Sequence, residues 1–179
     1  MRIVAGRLGG RRIEAPAGHR TRPTADRVRE ALFSILGPVD GARVLDLYAG
    51  SGALGIEALS RGAAEAVFVD RDRRAVAAIR ANLATLEIEA PVLCADAGDY
   101  LAGRRAPGAP GPFDLVFADP PYSSAAALTG SLSALLPAVL SEDARIVTES
   151  DNRAPLELDF PVVTARRYGD TRIAVHRAS

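Results

Sequence analysis

The chain has 179 residues, which suits one domain (1–179) and is short for two. Its 22 basic residues balance 22 acidic ones, and 48% hydrophobic residues are enough for a well-buried core. The single cysteine, Cys94, excludes an intramolecular disulfide, and with only His19 and His176 beside it no metal site is expected. No signal-like segment opens the sequence and no apolar run nears the roughly 18 residues of a membrane span, so a cytoplasmic protein without membrane contact is expected.

Two short strand-like runs come first, Arg2 to Gly6 and Arg11 to Pro16, with Gly9-Gly10 between them as a hairpin turn. This hairpin forms an N-terminal extension over residues 1–20. After a turn around Pro23, Thr24 is a suitable N-cap for a helix whose apolar face is Val28, Ala31, Leu32 and Ile35, ending near Gly37-Pro38. From residue 43 the rhythm is regular: RVLDLY and a helix to Arg61, AVFVD and a helix from Asp72 to about Leu86, PVLCAD and a short helix from Gly98 to Leu101. DLVFADPPY then leads into a helix from about Ala125 to Leu140, past a Gly/Pro-rich surface loop at 103–112. Continuous apolar strands alternating with amphipathic helices predict an α/β doubly wound sheet, mostly parallel and covered on both faces. ARIVTES, LDFPVVTARR and TRIAVHRA are strand-like with little helix between the last two, which predicts a terminal antiparallel pair.

Charge is unevenly spread. Residues 1–29 carry eight Arg (the chain has no Lys) against Glu14 and Asp26, a net +6, so the remainder carries −6. A neutral protein with a basic arm binds polyanions locally, and Arg7, Arg11, Arg12, Arg20 and Arg27 are the candidate RNA contacts.

The turn Asp46 to Gly55, DLYAGSGALG, sits where a strand gives way to a helix. Gly50 and Gly52 permit a tight turn and close approach of a ligand, and Gly55 lets the helix pack near the sheet. A phosphate cradle gains nothing from a carboxylate at the strand end, whereas a cationic ligand does. S-adenosylmethionine (SAM) carries an ammonium and a sulfonium, so Asp46 favours it. Asp70 closes the next strand, 20 residues after Gly50, and fits a ribose diol. Asp96 closes the third, where it could accept from an adenine amino group. Taken singly, each acid could equally be a helix N-cap. Tyr48, Ser51, Arg71 and Ala97 flank these acids and complete the candidate cofactor contacts.

Asp119, Pro120, Pro121 and Tyr122 (DPPY) end the fourth strand. Two prolines fix the backbone, so the Asp119 carboxylate and the Pro120 carbonyl are two acceptors aimed at one point. An exocyclic base amine offers two N–H donors; accepting both orients the nitrogen and frees its lone pair. Tyr122 offers a face for a splayed base, worth about 1–3 kcal/mol. Asp119 could also take the proton that the amine sheds. Cys94, the rival nucleophile, is expected to be buried core filler. DPPY suits adenine, cytosine or guanine amines alike. A DNA amino methyltransferase and a non-catalytic SAM-binding assembly factor therefore stay open at this point.

In order along the chain, DLYAGSGALG, Asp70, Asp96 and DPPY resemble Rossmann-like class I methyltransferases that act on base amines. GGRRIEAP (Gly9 to Pro16), TRPTADRVREALF (Thr21 to Phe33) and YGDTRI (Tyr168 to Ile173) resemble the RsmD family of bacterial 16S rRNA guanine 2-amino methyltransferases, over essentially the whole chain. The resemblance implies a seven-stranded sheet with an antiparallel last strand and an N-terminal β-hairpin beside the catalytic mouth. It implies that DPPY holds the guanine, that Arg22, Pro23 and Thr24 lie near the methionine end of SAM with Arg27 and Arg29 close by, and that the substrate is 16S rRNA in a partly assembled 30S particle. A monomer is expected, since no extra apolar helix calls for a partner.

Overall fold

The computed structural model describes residues 1–16, 26–103, 111–121 and 125–179. Thr24, and with it the expected N-cap, lies outside them. After α1 (Asp26–Leu36), each parallel strand is returned by a helix: β1 (Arg43–Leu47) by α2 (Ala53–Ser60), β2 (Glu65–Asp70) by α3 (Arg73–Leu86), β3 (Val92–Cys94) by α4 (Ala97–Leu101). β4 (Phe113–Ala118) is followed by α5 (Ala125–Leu135), a single 3-10 turn (Leu136–Val139) and β5 (Leu140–Asp151). Pro137 stands in that turn, and a proline cannot extend the helical hydrogen-bond ladder, so α5 ends short of the expected Leu140. β6 (Val162–Tyr168) and β7 (Thr171–Arg177) form the terminal antiparallel pair.

The seven strands run in the order β3-β2-β1-β4-β5-β7-β6. β7 is antiparallel to both its neighbours, so the reversed strand is the last in sequence but sits one place in from the sheet edge. Alternate residues serve opposite faces. Val44, Phe68, Leu115, Phe117 and Val147 pack under α1, α2, α3 and the N-terminal segment. Leu45, Leu47, Val69, Val116 and Ile146 pack under α4 and α5.

Two expectations need correction. The buried face of α1 is Arg29, Leu32, Phe33 and Leu36, not the all-apolar set. Arg29 is fully buried because its guanidinium donates to Asp26 Oδ1 at 2.8 Å and to the Arg2 carbonyl. The N-terminal hairpin exists, with Ile3 N–H donating to the Arg11 carbonyl at 3.0 Å and Ile13 N–H to Met1 at 3.1 Å, but it closes in one bridge, Arg2 to Arg12. Its loop is wider than Gly9-Gly10 because the chain dips onto α2. Val4 and Ala5 N–H donate to the buried Glu57 carboxylate at 2.7 and 3.0 Å, and Leu8 N–H donates to Ser60 Oγ at 3.0 Å. At Gly6 (φ +81°) a Cβ would lie 1.9 Å from the Ser60 carbonyl oxygen, so no other residue fits. Backbone groups that a longer ladder would have used are satisfied by α2 instead.

Candidate active site

Strand order reverses between β1 and β4, and ligands in open α/β sheets bind beyond the carboxyl ends of the strands at such a switch point. Five carboxylates stand there: Asp46 on β1, Asp70 on β2, Asp96 after β3, Asp119 after β4 and Glu149 on β5.

The first three pin loops. Asp70 accepts from Gly50 N–H at 2.9 Å and from Asp72 N–H at 2.8 Å, one bond per oxygen. Asp96 is the N-cap of α4, accepting from Gly98 N–H at 2.9 Å, with its second oxygen 4.0 Å from Arg71 Nη1. Asp46 accepts from Gly55 N–H at 2.9 Å. Burial pushes its carboxyl up to about 8; the Gly55 bond pulls it back and the Asp70 charge pushes it further up.

Between these loops lies a small hollow lined by Tyr48, Val69, Asp70, Arg71, Ala95, Asp96 and Ala97. The structure thus brings together Tyr48, Asp70, Arg71, Asp96 and Ala97, all expected cofactor contacts. Tyr48 adopts φ +58°, a left-handed conformation that costs a bulky residue about 1–3 kcal/mol and is found where the surroundings over-determine it. Burial pushes its hydroxyl up to about 12, the Asp96 charge adding to this and Arg71 opposing it, so it remains a neutral donor. Gly50 has φ +57°, and among the described residues a Cβ there would meet only the Tyr48 carbonyl oxygen, 3.9 Å away. Gly55 is the packing glycine, since a Cβ would come within 2.4 Å of the Phe68 ring. Two acids with spare lone pairs and a neutral phenol beside a glycine loop match the hydrogen-bonding groups of a nucleoside with a cationic tail. A wider groove lined by Arg80, Leu83, Ile88 and Val92 lies at the opposite, N-terminal end of β3.

The other two carboxylates behave differently. Phe117 and Val147 belong to the same face of the sheet, and Ala118 pairs with Thr148, so Asp119 and Glu149 emerge side by side on the face that also carries Asp46. Glu149 is 6% exposed. Burial pushes the Asp119 carboxyl well up, and the Glu149 and Asp46 charges push it further. Pro120 is buried and Pro121 exposed. Tyr122, like Arg20, Arg22 and Thr24, lies outside the described residues. Glu149 was missed by motif reading, although it lies near the carboxyl end of β5 as Asp46 does on β1.

Arg7, Arg11, Arg12 and Arg27 are exposed on the arm and α1, with Arg11 Nη2 donating to the Thr85 carbonyl at 2.6 Å. Arg29 serves the N-terminal segment: besides its Arg2 bond, its guanidinium reaches Met1 Sδ at 3.6 Å. Cys94 is exposed, not core, because β3 is a three-residue edge strand with one neighbour. His176 is buried between Thr148 Oγ1 at 3.3 Å and the Phe160 carbonyl at 3.2 Å. Burial lowers its pKa, the Phe160 bond opposing this. Among the described residues no helix is long and apolar enough to cross a membrane.

A family model described as "Conserved hypothetical protein 95" matches residues 1–177. YlbH of Bacillus subtilis (strain 168), provisionally named an rRNA methyltransferase, is 42% identical over 190 residues, spanning 99% of this chain and 98% of that protein. Ribosomal RNA small subunit methyltransferase D of Escherichia coli (strain K12) is 44% identical over 124 residues, 68% of this chain and 60% of that protein. The solved structure of Escherichia coli yhhF, provisionally called a methyltransferase, superposes with a TM-score of 0.84 at 35% identity, covering 99% of this chain and 97% of that one. The chain belongs to the family of "Conserved hypothetical protein 95", the RsmD family.

Proposed function

We propose that this chain is a SAM-dependent rRNA methyltransferase that methylates the exocyclic 2-amino group of a guanine in 16S rRNA. The observation that carries it is the meeting, at one switch point, of the glycine loop and its rim of Tyr48, Asp70 and Asp96 with the Asp119-Pro120 turn. Kinship with the small subunit methyltransferase D of Escherichia coli and with YlbH supports rRNA as the polymer.

SAM, when bound, supplies an already activated methyl electrophile, so no metal is required. Asp70 would bind the ribose diol, and Asp96 and Tyr48 would frame the adenine; Asp46, bonded to Gly55 of the glycine loop, suits the cationic tail. Asp119 and the Pro120 carbonyl accept the two amine hydrogens and aim the nitrogen; such alignment and preorganised polarity are the main sources of rate for this class of reaction. The raised proton affinity of Asp119 suits it to take the proton that the amine loses. The arm arginines contact phosphates of the RNA.

The test is transfer from tritiated SAM to 16S RNA or to 30S particles lacking the modification, followed by mass mapping of the modified nucleoside. N2-methylguanosine is the expected product. Label in duplex DNA but not in rRNA would overturn the substrate, and labelled adenosine would overturn the target atom.

A further inference from the structure

The basic arm and the glycine loop are joined by one buried side chain. Asn82 is on α3, 3% exposed among Ile79, Leu83 and Leu86. Its Nδ2 donates to the Glu14 carbonyl at 2.9 Å and to the Ser51 carbonyl at 3.0 Å, while its Oδ1 accepts from Glu14 N–H at 2.8 Å. Both amide hydrogens are thus used, and they end on different segments, one on the arm and one inside the Gly50–Gly52 turn. A second link runs parallel: Ser51 Oγ donates to Met1 Sδ at 3.5 Å, and Met1 is paired with Ile13 across the hairpin. A buried amide is costly among apolar neighbours unless it is bonded, so its place here is set by the two segments it joins.

We propose that Asn82 is a positioning residue that couples the cofactor loop to the arm, fixing the Ser51 carbonyl only while Glu14 is docked. The proposal rests on the cofactor assignment above. Coupling is reciprocal: cofactor in the loop tightens the arm by the same factor by which a polyanion held on the arm tightens the cofactor.

The experiment is amide hydrogen exchange on the full-length protein with and without S-adenosylhomocysteine. In the wild type the ligand should slow exchange at Gly50–Gly52 and also at the Glu14 amide, the latter by about fivefold or more, the lower end of typical couplings. In Asn82→Ala, and in Asn82→Asp, which keeps the acceptor for Glu14 N–H but removes both donors, the loop should still be protected and Glu14 should not. Protection of the loop without any effect at Glu14 in the wild type overturns the coupling, and needs no variant to fold. Equal slowing at Glu14 in the wild type and in either variant overturns the role of Asn82. No protection of the loop itself overturns the cofactor assignment and the coupling with it. A 16S rRNA transcript should lower the wild-type Kd for S-adenosylhomocysteine by the factor seen at Glu14, and this gain should fall below about twofold in the variants. If RNA changes nothing while Glu14 is protected, the coupling stands and RNA contact by the arm is lost.

Discussion

The two halves of the strand-end rim use the same side chain in opposite ways. On β1 to β3 the carboxylates accept backbone N–H groups, at Gly55, Gly50 with Asp72, and Gly98, and so hold loops in shape. On β4 and β5, Asp119 and Glu149 stand beside each other, and burial plus mutual repulsion raises the proton affinity of Asp119. An acid at a strand end is thus a loop pin when a following turn donates to it, and a stronger proton acceptor when it is buried beside a second acid.

Asp119→Ala separates the halves most sharply. Transfer should fall by about 10²–10⁴-fold, the usual worth of a positioned acid–base group, with SAM binding changed only a few fold. Single-turnover rates beside titration calorimetry check this, and undiminished turnover would erase the distinction. Asp70→Ala should do the reverse. It strips acceptors from Gly50 and Asp72 N–H, a loss of about 1–3 kcal/mol or roughly 5- to 150-fold, so SAM affinity should drop with the saturated rate nearly kept. A variant losing rate but not affinity would put Asp70 in the wrong half.

The pH dependence is graded more finely. The Asp46 carboxyl ionises near 3.8 when unfolded and near about 8 in the fold, so the folded protein keeps a proton that the unfolded chain has lost. Its contribution to stability is full below about pH 4 and drains away as pH climbs to about 8. A bound cation favours the ionised form, so SAM binding should release protons, and affinity should rise with pH by at most about tenfold per unit per carboxyl until pH 8. Calorimetry in buffers of different ionisation enthalpy reads the protons; Asp46→Asn should flatten the curve. No proton release would mean that Asp46 is only a pin. The smallest effect belongs outside both halves. Charge reversal at Arg11 and Arg12 should weaken rRNA binding several-fold and lower its salt slope by about 1–2, leaving SAM affinity in the absence of RNA little changed.

Much of this was legible in the sequence, and for identifiable reasons. Apolar strand runs with acids near their ends, the Gly50 to Gly55 turn and the Asp119-Pro120 step are local signals, and all of them fall at the carboxyl ends of β1 to β4. What escaped depends on contacts distant in sequence. Arg29 is buried because of the Arg2 carbonyl, and Cys94 is exposed because β3 has one neighbour. Asn82 and Glu57 have meaning only once the arm lies on α2 and α3. Glu149 had the same local signal as the aspartates, but its importance comes from standing beside Asp119.

β7 lies between β5 and β6, and among the described residues β6 pairs with no other strand. A chain emerging from the ribosome therefore makes β6 before anything exists for it to pair with, and β6 must wait until Thr171–Arg177 has followed. The parallel core from β1 to β5 can assemble before β6 and β7 are made, whereas these two strands close together. Loss of the β7 residues would take two strands out of the sheet, not one, and would leave the β5 edge bare.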